Sequence, residues 1–138
     1  MPQDYVLRLI EQIAQILSAI VALRKAGRND EALEQIAAAC QDKVGIPLEL
    51  VRRSSPETLL QLLETGGALR HVRGVMLAEL LIADAAISEN AHKRDDGVIA
   101  RAQAYALLSD ALPYLESNEQ SIYREKMESL RIDRFPSG

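Results

Sequence analysis

The stretch Gly74–Ile87, GVMLAELLIADAAI, reads apolar on every side except at Glu79 and Asp84. A helix apolar nearly all round is buried nearly all round. At 1.5 Å per residue it spans about 21 Å, short of the roughly 30 Å hydrocarbon layer of a bilayer. The pattern therefore predicts the buried spine of a small helical domain, within a helix from about Ala68 to Ala91. Helix one, about Gln3 to Ala26, repeats its apolar residues in two registers. One holds Leu9, Ile13, Ile16, Ile20 and Leu23; beside it run Val6, Ile10, Ile13, Leu17 and Val21. One stripe is enough to dock a helix on a core. Two adjacent stripes call for two neighbours, the second being another helix of this chain or a second copy of it.

Punctuation residues divide the rest. Gly27 supplies a left-handed end to helix one. Asn29 or Asp30 caps a helix from about Asp30 to Lys43, with Ala32, Leu33, Ile36, Ala37 and Cys40 inward, and Gly45 closes it. Pro47 opens a short helical turn through Arg53, with Leu48, Leu50 and Val51 inward. Ser55 followed by Pro56 is an N-cap and N1 pair; that helix carries Leu59, Leu60, Leu62 and Leu63 and stops at Gly66-Gly67. After the spine, His92–Gly97 reads as a loop. A helix from about Val98 to Leu115 buries Ile99, Ala102, Ala106, Leu107 and Leu112, with Pro113 disturbing its last turn. Ser117 and Gln120 form a capping box for a last helix to about Ile132, whose apolar face is Ile122, Tyr123, Met127 and Leu130. No strand period appears. The expectation is an all-α, single-domain bundle over residues 1–130, about six antiparallel helices plus one short helical turn, with 131–138 a loose tail.

Composition narrows this picture. Aromatics are 4% and Trp is absent, so the core must be Leu, Ile, Val and Ala. The net charge of −4 argues against nucleic acid as a partner. No run of about 18 apolar residues predicts a membrane span, and the N-terminus lacks a signal-peptide pattern. A cytoplasmic protein, whole as given, is expected. The single cysteine, Cys40, follows a run of alanines and reads as a buried thiol.

The turn Ala26-Gly27-Arg28-Asn29-Asp30-Glu31-Ala32-Leu33 resembles the middle of a tetratricopeptide repeat. In that family a Gly ends the first helix, and small and large residues at set intervals pack the second. Here they fall at Gly27, Ala32, Ile36 and Ala39; Ala104, Leu108 and Ala111 look similar in a second helix pair. Ile20 stands where the family has a small residue, and Gly45–Gly67 interrupts the 34-residue period. The resemblance covers about half the chain and implies repeat-like helical hairpins. The opening Asp4–Gln12 also resembles the start of a family of small uncharacterised bacterial helical proteins, and carries no functional residues over.

Motifs for catalysis are missing: no phosphate loop, dinucleotide turn, nucleophile elbow or zinc spacing. Glu89-x-x-His92 has the spacing of a metal-ligand pair but lacks a second such pair, so neither metal nor cofactor is expected. The anomaly is Arg70-His71-Val72-Arg73, cations in the first turns of the spine helix, where the dipole disfavours them. With Arg52, Arg53 and the backbone of Gly66-Gly67 nearby, Arg70, His71 and Arg73 would suit a phosphate or carboxylate. The alternative is that Glu57, Glu64 or Glu49 neutralises them. The first reading is a non-catalytic, self-associating interaction module, a homodimer through Val6, Ile10, Ile13, Leu17 and Val21, with a further protein partner left open. The second is an anion or small-ligand binding protein.

Overall fold

The computed structural model describes residues 3–64, 70–90 and 94–134; the side chains of 1–7, 9, 10, 90, 94, 132, 133 and 134 lie outside the description. These residues form seven α-helices and no strand: α1 (Gln3–Lys25), α2 (Asn29–Ala39), α3 (Leu48–Arg53), α4 (Pro56–Glu64), α5 (Arg70–Asn90), α6 (Arg94–Ala111) and α7 (Ser117–Arg134). The short one is α3, and the other six make the bundle. No helix among the described residues is long and apolar enough to cross a membrane.

Helix α5 is the spine. Met76, Leu77, Leu80, Leu81 and Ile87 are enclosed, and α1, α2, α4 and α6 all pack on it. Its most extensive partner is α6, which buries the small residues Ala100, Ala104 and Ala111 beside Leu107 and Leu108. Gly97 makes the approach possible: a Cβ there would stand 3.0 Å from the Glu89 side chain and 3.4 Å from the Ala85 carbonyl oxygen. The α1–α2 hairpin turns at Gly27, φ +78°, and packs on α5 from another side. Helix α7 folds back on α6 and reaches α5 through an ion pair between Lys126 and Glu79.

Several element starts follow the sequence signals. The Ser55 hydroxyl accepts the Thr58 amide at 3.1 Å, as an N-cap should. Gly45 has φ +85° and closes its helix in the left-handed conformation.

Elsewhere the structure corrects the reading. Helix α6 begins at Arg94, not Val98, because Asp95 and Asp96 suit the positive end of the dipole and Gly97 lets the first turn close on α5. That start sets the inward face, and Ile99 is left half-exposed while Gln103 is buried. Leu50 and Ile122 are also exposed; α3 and α7 each present only one narrow side to the core. Arg28, not Asn29 or Asp30, holds the cap position of α2, and its guanidinium pairs with Glu31 at 2.7 Å.

The end of α2 widens into a π-helical turn, Cys40–Val44, closed by the Gly45 amide donating to the Cys40 carbonyl at 2.8 Å. Pro113 lies in a 3₁₀ turn, Leu112–Tyr114, that ends α6 early. The reach-back bond at the start of α7 comes one residue ahead of expectation: the Glu119 carboxylate accepts the Glu116 backbone amide at 3.3 Å, while the Gln120 side-chain amide donates to the Leu115 carbonyl at 2.9 Å. Helix α7 also continues through Arg134, past the expected tail boundary at residue 131. Phe135 lies outside the described residues.

Candidate functional site

The five cations expected to converge are distributed among separate tasks. Arg52, on α3, donates to both oxygens of Asp84, at 2.8 and 3.4 Å. Asp84 is 14 residues beyond Arg70 on α5, about 21 Å along the axis. Arg52 therefore belongs to the far end of the spine. Its pKa is raised, first by the hydrogen bond to Asp84. Arg53 is exposed. Arg70 lies 3.5 Å from Glu64 and 3.7 Å from Asp110. Arg73 donates to the Val44 carbonyl, at the end of the π-helical turn.

The anomaly of cations at the start of α5 thus has a physical reason. Arg73 serves the negative carboxyl end of the π-helical turn that closes α2, where a cation is favourable. Glu64 was a foreseen partner of Arg70; Asp110, on α6, is distant in sequence and was not. Gly66-Gly67 and His92 fall outside the described residues.

Of the expected interface stripe, Ile13 belongs to the core, only 6% exposed. Leu17 is half-buried against the core, and Val21 is exposed. Ala14, Ser18 and Ala22 are exposed on the same flank of α1. The side chains of Val6 and Ile10 lie outside the description. The opposite flank is engaged: Gln12 accepts a hydrogen bond from Lys43 at 3.0 Å.

Groups with chemical potential elsewhere are held in structural roles. Burial, and then the Asp84 carboxylate, push the Cys40 thiol up to about 12, with Arg52 opposing. A thiol so protonated is a poor nucleophile at neutral pH. Glu89 pairs with Arg101 at 2.7 Å. No cluster of metal-ligating side chains occurs among the described residues. Gln103 was unforeseen. Its buried amide donates to the carbonyls of Val51 and Ser54, both at 2.8 Å, closing the end of α3. A lone glutamine among alanines carries no signal of this in sequence.

One enclosed feature does gather polar groups. A cleft of about 170 Å³ opens between α1, α5 and the start of α7. Its floor is apolar: Ile13, Val72, Val75 and Met76. One wall is the His71 ring stacked on Tyr114, centroids 3.7 Å apart and planes 11° from parallel. The rim carries Leu115, Glu116, Glu119 and Tyr123.

Desolvation lowers the His71 pKa, Arg70 lowers it further, and Asp110 opposes. Its Nδ1 is buried with no hydrogen-bond partner among the described residues; Asp110 Oδ2, at 3.8 Å, is too far. Burial, then Glu79 and Glu119, push the Tyr123 phenol up to about 12. The cleft is therefore an apolar hole with Glu116 and Glu119 at its rim, and His71, one of the residues expected in a cationic patch at the start of α5, in its wall. No family model, curated protein or solved structure matches this chain.

Proposed function

We propose that the protein is a non-catalytic helical interaction module that pairs with a second copy of itself along α1. The observation that carries this reading is the open flank of that helix. Ala14, Ser18, Val21 and Ala22 are all exposed there, beside the half-buried Leu17. Small side chains let two helix axes approach closely, and helix–helix distance is set by the residues at the contact. A two-fold pairing would bring the same stripe from each subunit together. The described part of the stripe is these five residues, fewer than the roughly 20–30 residues a side of a standard stable interface. The pairing therefore extends toward the first turns of α1, where the sequence sets Val6 and Ile10, and is reversible at modest concentration.

Light scattering on the wild type and on Ala14→Glu/Val21→Glu tests this. Both substituted positions are exposed, so the variant keeps its helical signal. A wild-type dimer and a folded variant monomer are expected. A wild type that stays monomeric at several hundred micromolar would sink the proposal.

A further inference from the structure

We propose that the cleft between α1, α5 and the start of α7 binds a small uncharged molecule built on one aromatic ring. Size sets the first bound. A dry apolar cavity of roughly 150 Å³ is enough to hold benzene. At about 170 Å³ this cleft takes one six-membered ring and about two further heavy atoms. It is smaller than the roughly 300 Å³ at which sites for drug-sized ligands begin. Its floor of Ile13, Val72, Val75 and Met76 offers side chains of hydrocarbon and one thioether, so the body of the occupant is apolar.

The walls favour an aromatic occupant over an aliphatic one. Rings are scarce in this chain, with four tyrosines, one phenylalanine and no tryptophan. Yet Tyr114 and Tyr123 both line the cleft, and the His71 ring lies beside them. His71 and Tyr114 are stacked at 3.7 Å and form a continuous aromatic wall. A ring set against that wall, offset or edge-on, gains beyond the area it buries. The Met76 sulfur in the floor is a second partner that rings favour.

The charge of the occupant follows from what the chain has already spent. The Glu119 carboxylate accepts the Glu116 backbone amide, and Glu116 is engaged as well. The Lys126 ammonium, over the Tyr123 ring, belongs to Glu79. His71 stands in the wall as neutral imidazole at neutral pH, since burial and Arg70 disfavour its charged form. Among the described residues no lysine or arginine lines the cleft. An occupant of this size lies wholly inside. A charged group on it would give up water and find no free partner of either sign, whereas a hydroxyl loses far less.

The probe is benzyl alcohol, with benzylammonium and benzoate as charged counterparts and cyclohexylmethanol as the aliphatic one. Binding is read from the Met76 methyl resonance, assigned with Met76→Leu, and from titration calorimetry. Benzyl alcohol should shift the Met76 methyl and bind roughly tenfold or more tightly than either ion. It should bind about two- to tenfold more tightly than cyclohexylmethanol. Val75→Phe places a ring of the chain's own in the cleft and should abolish the binding. Tyr114 is 66% exposed, so Tyr114→Leu leaves the fold intact and should bring benzyl alcohol down to the level of cyclohexylmethanol. A Met76 resonance that benzyl alcohol does not shift would overturn the proposal. So would either ion or cyclohexylmethanol binding as tightly as benzyl alcohol, or an affinity unmoved in either variant.

Discussion

His71 shows how much of a residue's behaviour lies in its neighbours. In sequence it stands between two arginine positions and reads as part of a cationic patch. In the fold its ring lies flat on Tyr114, and burial and Arg70 hold its pKa below the ordinary 6.5, against the pull of Asp110. The sign of the linkage follows. Above pH 6.5 the imidazole is neutral folded and unfolded and contributes nothing. As pH falls through 6.5 the unfolded chain takes up a proton that the folded chain resists, so stability declines. The decline levels off once pH passes below the folded-state value. His71→Phe keeps an aromatic ring on Tyr114 and removes the titration. The urea stability of the wild type relative to this variant should therefore fall between pH 7.5 and pH 5, the carboxylates cancelling in the difference. A difference that stays flat over that range would mean that His71 titrates alike in both states.

At the scale of elements, two glycines with the same backbone conformation separate local strain from packing. Gly27 and Gly45 have φ of +78° and +85°, where a Cβ is strained by about 1–2 kcal/mol. At Gly27 a Cβ would meet nothing within 4 Å. At Gly45 it would stand 2.8 Å from Arg73 Nη2, the guanidinium that holds the Val44 carbonyl. Gly27→Ala should cost only the backbone term. Gly45→Ala should cost that plus about 1–2 kcal/mol for the displaced charge-assisted hydrogen bond. Chemical denaturation of both variants checks the ordering, and equal losses would show that Arg73 shifts without penalty.

The same positions mark what was legible in the sequence. Gly27, Gly45 and the Ser55-Pro56 pair act through backbone rules confined to a few residues, and each stands where the sequence placed it. So does the spine, because a nearly all-apolar helix has only one kind of place to go. What escaped was relational. The π-helical turn, the early start of α6, the Asp110 partner of Arg70 and the Gln103 amide on α3 depend on elements 29 to 52 residues apart meeting, or on a helix rotating to admit one glycine. No local pattern encodes those. The cleft belongs to this class as well, since α1, α5 and α7 each contribute side chains that are ordinary on their own helix.

For the whole molecule, the proposed pairing reads out by mass action. A partner that binds only the folded chain raises its melting temperature in proportion to the logarithm of that partner's concentration. If the partner is a second copy, the relevant concentration is that of the protein itself. The melting temperature of the wild type should then climb as the protein goes from a few micromolar to several hundred. Ala14→Glu/Val21→Glu should melt at one temperature throughout. A concentration dependence that persists in the variant would move the pairing surface away from α1.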